Sequence, residues 1–115
     1  MSLKAYQAAQ AATENPRVTE YRLFGQVTGA LLDAKRSNAV GTPLVEAVDW
    51  NRRLWRTLAA DCMDDRNSLT NDVRAKIISL SLWVSKYSRS VTREKAPLDP
   101  LIEINRNIMQ GLQAN

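Results

Sequence analysis

"RVTEYRLFGQVTGALLDAK", residues 17–35, decides the fold. At about 100° per residue, Val18, Tyr21, Phe24, Val27, Thr28, Leu31 and Leu32 share one arc, while Arg22, Gln26 and Asp33 face away. The pattern is that of an amphipathic helix. Its middle holds Gly25 and Gly29, each costing a helix about 0.8–1 kcal/mol relative to alanine. Both border the apolar arc, so they admit a close neighbour. That neighbour is either a long helix later in the same chain or a helix of a partner.

Working outward, helix starts recur where a capping residue precedes proline: Asn15-Pro16, Thr42-Pro43 and Asp99-Pro100. The spacing predicts a first helix from about Leu3 to Thr13, with Ser2 as N-cap and only a thin stripe of Tyr6, Ala9 and Ala12. A second follows from about Pro16 to Arg36 and a third from about Pro43 to Asp61, the third with Leu44, Ala47, Val48, Leu54, Trp55 and Leu58 aligned. After the polar turn "MDDRNS", a fourth and longer helix is predicted from about Leu69 to Val91, capped by Ser68 or Asn67. Its main stripe runs from Leu69 to Val91, and Ala75, Ile78 and Leu82 form a second one. Two stripes imply neighbours on both sides, hence a central helix. Pro100 opens the last helix, with Leu101, Ile104, Ile108, Met109 and Leu112 on one face.

No segment alternates with period two. The expected fold is all-α: one domain over residues 1–115, a bundle of four to five helices with the long fourth helix at its centre. At 115 residues such a domain buries roughly 65% of the surface its unfolded chain exposes, enough for one core.

Composition narrows function by exclusion. The apolar fraction is 44% and the charged fraction 24%, which fits a packed globular chain and not a disordered one. The net charge of +4 permits an acidic partner or nucleic acid without implying either, because 12 acidic residues are interspersed among 16 basic ones. The lone Cys62 leaves no internal disulfide and fits a reducing compartment. No apolar run reaches membrane-spanning length, and the N-terminal stretch lacks a signal-peptide pattern, so a cytoplasmic protein with no membrane association is expected.

The chain has no histidine, the commonest general base and metal ligand. Cys62 has no imidazole to activate it, and Asp64 and Asp65 are adjacent, so their side chains diverge. No glycine-rich phosphate loop occurs. No catalytic, cofactor-binding or metal-binding residue is expected, and no enzyme.

The polar residues inside apolar stripes are more informative. Asn51 and Asn105 both fall there, where an unpaired amide costs about 1–3 kcal/mol. Each needs a partner: a loop backbone, the other asparagine, or the backbone of a bound peptide. Among the aromatics, Trp55 falls in a core arc, whereas Trp50 and Trp83 flank theirs, as core rim or as binding anchors. The basic stretch "WNRRLWR", residues 50–56, spreads around its helix, with Asp49 spaced to pair with Arg53. RNA is therefore not expected as a direct ligand.

Four ordered segments carry a resemblance: "NPRVTEYRLFGQVTGAL" (15–31), "LVEAVDWNRRLWRTLAADC" (44–62), "NSLTNDVRAKIISLSLWV" (67–84) and "PLIEINRNIMQGL" (100–112). In that order and spacing the chain resembles the FlaF family of flagellar biosynthesis regulators from alphaproteobacteria, from "AYQAA" at residues 5–9 to Leu112. One departure is visible: a start expected as "N-x-L-P" reads Asn67, Ser68, Leu69, Thr70. The resemblance implies a small helical cytoplasmic protein needed for flagellin production and export, with flagellin as direct client and the regulator FlbT as a possible partner.

Two functions follow as expectations. The first is a flagellin-binding chaperone that promotes flagellin synthesis and export. The alternative is a post-transcriptional regulator acting on flagellin mRNA, directly or through FlbT. The surface expected to hold a client comprises Tyr21 and Phe24 as anchors, Gly25 and Gly29 as the close-approach strip, Trp50 or Trp83 at the rim, and Arg22 for an acidic residue of the client.

Overall fold

The computed structural model describes residues 16–114, with side chains from 21 to 111. Four helices follow in chain order: α1 (Pro16–Arg36), α2 (Thr42–Met63), α3 (Asn71–Glu94) and α4 (Asp99–Ala114). No strand occurs among the described residues, and the fold is all-α. The helix expected over residues 3–13 lies outside the described residues.

The helix ends show which local signals operate. α2 starts at Thr42, inside the helix, with Gly41 as the N-cap at φ 63 and ψ −139, a conformation that glycine adopts without a Cβ clash. Pro43 then sits in the first turn, where a missing N–H costs nothing because that donor has no helical partner. The N-cap of α3 is Thr70, whose side chain accepts from the Val73 N–H, in place of the expected Ser68 or Asn67. Thr70 thus supplies a start signal at the position where the resemblance leads one to expect proline. Asn67 organises the preceding turn instead, accepting from the Leu69 N–H at 2.9 Å and donating to the Asp61 carbonyl at 3.0 Å.

Two helices end on non-glycine residues in the left-handed region. Asn38 (φ 50) follows α1, and the Ala39 N–H returns to the Ala34 carbonyl at 2.9 Å. Lys95 (φ 58) caps α3, and the Ala96 N–H returns to the Ser90 carbonyl at 3.1 Å. Both closures satisfy carbonyls that the last turn leaves without helical donors.

α2 and α3 form a hairpin. The buried side of α2 carries Val48, Asn51, Trp55, Leu58 and Cys62, and that of α3 carries Ile77, Ser81, Val84, Ser88 and Val91. Both sets alternate steps of three and four, the spacing of a helix–helix seam. The serines leave room for a large partner, and Ser81 Oγ donates to the Trp55 carbonyl at 3.2 Å. The connecting turn is tied by Arg74, whose Nε donates to the Cys62 carbonyl at 2.6 Å and whose second nitrogen donates to that of Asp64 at 3.1 Å.

α1 packs against α2 and α4. Phe24 meets Trp55 edge to face, with ring centres 5.4 Å apart, and both rings are fully buried. The long helix does not occupy the centre. α3 packs mainly along α2, and the second stripe is only partly covered: Ile78 is half-buried against the core, whereas Ala75 is exposed and Leu82 is 70% exposed. α4 pairs with α1, through Lys35–Asp99 at one end and Asn105–Thr28 in the interior.

Candidate functional site

Among the described residues, no other helix covers one face of α1. Tyr21 is 40% exposed, Arg22 and Gly25 are exposed and Gly29 is half-buried. A Cβ placed on Gly25 or on Gly29 would meet nothing within 4 Å among the described residues. Of the two neighbours left open for these glycines, the chain's own long helix is not the one: α3 stays with α2, and no described residue lies over the glycine strip. Phe24 is corrected as well. It is fully buried against Trp55, so it serves the core and not a client surface.

The strip leads into a groove. Gly25, Gly29 and Asp33 follow at intervals of four and so line one side of α1. Asp33, Ala30 and Ala34 form one wall of a groove of about 380 Å³, and Glu46, Ala47 and Trp50 of α2 form the other. Trp50, 38% exposed, stands at its rim. Trp83 lies elsewhere. It stacks on Tyr87 of the same helix at 5.0 Å, and the Tyr87 hydroxyl donates to the Pro97 carbonyl at 2.6 Å. The alanine floor and its two acids carry no motif, and only the apposition of α1 and α2 makes them a site.

Asn51 and Asn105 lie inside the bundle, both fully buried. Asn105 is the hub: its Oδ1 accepts from Trp55 Nε1 at 2.8 Å, and its Nδ2 donates to Asn51 Oδ1 at 2.7 Å and to Thr28 Oγ1 at 3.2 Å. The cluster ties α1, α2 and α4 together and holds the register of the two walls of the groove. Asn51 Nδ2 has no hydrogen-bond partner. Thr28 is the member that apolar periodicity cannot flag, because a threonine in an apolar arc reads as a methyl group.

Four ion pairs tie charges on the rest of the described surface. Asp49 holds both Arg52, at 3.0 Å, and Arg53, at 3.3 Å. Lys35 and Asp99 join α1 to α4 at 2.9 Å, and the lysine's hydrogen bond holds the Asp99 carboxyl below its ordinary range. Asp64 is lowered in the same way, first by the Arg66 side chain and then by the Arg66 backbone N–H. Burial, followed by the Asp99 charge, pushes the Tyr87 phenol up. Among the described residues no group of three or more Cys, Asp and Glu side chains is arranged to hold a metal ion, and no helix is long and apolar enough to cross a membrane.

No curated protein and no solved structure matches the chain. A family model described as "Flagellar protein FlaF" matches residues 2–112. Since that match spans nearly all 115 residues, the chain belongs to the FlaF family of flagellar proteins.

Proposed function

We propose that this FlaF protein is a non-enzymatic, cytoplasmic flagellin-binding chaperone, which promotes flagellin synthesis and export by holding the subunit before assembly. The observation that carries the reading is the open surface of α1: a strip without side chains at Gly25 and Gly29 that continues into a groove rimmed by Trp50. A glycine strip lets another helix backbone come close, and an amphipathic helix laid along it buries its apolar face in the groove. A half-exposed tryptophan at the edge of such a groove is the residue type most enriched at binding hot spots. Tyr21 and Arg22, near the start of the same helix, extend the surface.

The chemistry of α2 favours a protein client over RNA. Arg52 and Arg53 are both engaged by Asp49, so the cluster offers phosphates less positive charge than its sequence suggests.

Co-purification with the organism's flagellins tests the proposal: tagged protein is expected to retain flagellin at micromolar concentration, and failure to do so overturns it. Gly25→Leu fills the strip and is expected to weaken flagellin binding at least tenfold while helicity and melting temperature hold. Calorimetry at two salt concentrations separates the modes. A flagellin helix gives a weak salt dependence with a large negative heat-capacity change, whereas direct binding of flagellin mRNA gives an affinity that falls steeply with salt. The second result, or retention of FlbT alone, would assign post-transcriptional regulation.

A further inference from the structure

We infer that the groove between α1 and α2 receives a lysine or arginine side chain of the docked flagellin helix, with Asp33 and Glu46 as its counter-charges and Trp50 as its aromatic wall. The inference rests on the chaperone reading and adds what the groove selects.

The groove combines an apolar floor with acidic walls. Ala30, Ala34 and Ala47 supply small apolar surface, and Asp33 and Glu46 line the same space. Neither carboxylate forms an ion pair among the described residues. The cations nearest in sequence do not neutralise them. Lys35 is committed to Asp99 at 2.9 Å, Arg52 and Arg53 to Asp49, and Arg36, three residues beyond Asp33, makes no ion pair with it. On a chain of net charge +4 this leaves an acidic pocket without ion pairs between α1 and α2.

A purely apolar anchor placed here would strip water from two carboxylates and return nothing to them. A lysine or arginine solves both requirements, since its methylene stem covers the alanines while its cationic head stays with the acids. The indole of Trp50 at the rim adds a face on which such a cation is attracted. The occupant is thus an amphipathic helix with a basic residue next to its apolar stripe.

The test is calorimetric titration of purified flagellin monomer into the wild-type protein and into an Asp33→Asn, Glu46→Gln double variant, in 50 and 500 mM salt. Both positions are exposed, so the variant is expected to melt at the wild-type temperature. At low salt it is expected to bind at least fivefold more weakly. The difference shrinks toward nothing at high salt, where the screening length falls to about 4 Å. Glu103→Gln, an exposed carboxylate of α4 outside the groove, is expected to leave affinity unchanged. If wild type and double variant bind with equal affinity and equal salt dependence, the inference is overturned and the chaperone reading stands. A loss of the same size at both salt concentrations also overturns it, because the acids then act by shape and not by charge. Absence of flagellin binding by the wild type overturns the chaperone reading, and the inference with it.

Discussion

Asn105 donates its amide to Asn51 Oδ1 across 2.7 Å in the fully buried interior, yet the two asparagines are not equivalent. Asn105 serves Trp55, Thr28 and Asn51 at once, whereas Asn51 accepts one bond and leaves its own Nδ2 without a partner. Asn105→Leu strands the Trp55 N–H and the Asn51 carbonyl oxygen in an apolar interior and is expected to cost about 3 kcal/mol or more. Asn51→Leu also removes an orphaned donor, and Asn105 still reaches Thr28, so about 1 kcal/mol or less is expected. Urea denaturation of the two variants measures the asymmetry, and equal losses would refute the hub assignment.

Gly25→Ala and Gly29→Ala are each expected to stabilise the isolated protein by up to about 1 kcal/mol, because the added methyl meets no described residue and glycine is the poorer helix former. A raised melting temperature in each variant is the readout. A fall in either would mean that something does lie over the strip. The effect separates the glycines' role in folding, which is a small cost, from any role in binding.

Lys95 adopts φ 58 to end α3, a region where a Cβ is penalised by roughly 1 kcal/mol. Lys95→Gly is expected to recover about that amount, since glycine enters the left-handed region freely. Lys95→Val, branched at Cβ, is expected to destabilise the fold. Thermal melts of the pair would place wild type between them, and the reverse order would contradict the cap geometry.

Acid pH should loosen the contact between α1 and α4. The hydrogen bond from Lys35 lowers the folded-state pKa of Asp99 below the ordinary 3.8. The folded carboxyl therefore gives up its proton more readily than the unfolded one. Its contribution to stability is complete above about 3.8, the unfolded value, and is lost as pH falls through the lower folded value. Asp64 follows the same sign through Arg66. Melting temperature recorded from pH 6 down to pH 2 is expected to fall less in Asp99→Asn than in wild type. Parallel curves would show that the pair contributes nothing.

Helix existence was legible because it is local. The apolar arc of α1 and the stripes of α2 and α4 repeat every three to four residues, and any chain with that spacing buries one side of a helix. Individual caps were less legible. A cap depends on which of several adjacent Ser, Thr, Asn or Gly residues has the right backbone geometry, and at α3 Thr70 wins over Ser68 and Asn67.

The neighbours of each helix were legible only in part: the pairing of Asn51 with Asn105 was among the readings open in the sequence. Two stripes on α3 promised two neighbours, but the interior hydrogen bonds of Asn105 bring α4 to α1 and α2 and leave Leu82 open. Phe24 and Tyr21 share one apolar arc in the sequence, yet one is the partner of Trp55 in the core and the other is exposed. Asp33 and Glu46, 13 residues apart with no motif between them, become walls of one groove only when α1 and α2 pack.

The sequence by itself determined the helices, the absence of histidine chemistry and, through four ordered segments, the FlaF family. Tertiary structure alone decided which apolar residues are core, which glycines have no described residue over them and which acids line a groove with a tryptophan. The physical reason is range. Hydrophobic periodicity and capping act within a turn or two of chain, whereas the pairing of helices is set by a few buried polar contacts and by side-chain volumes that belong to different elements.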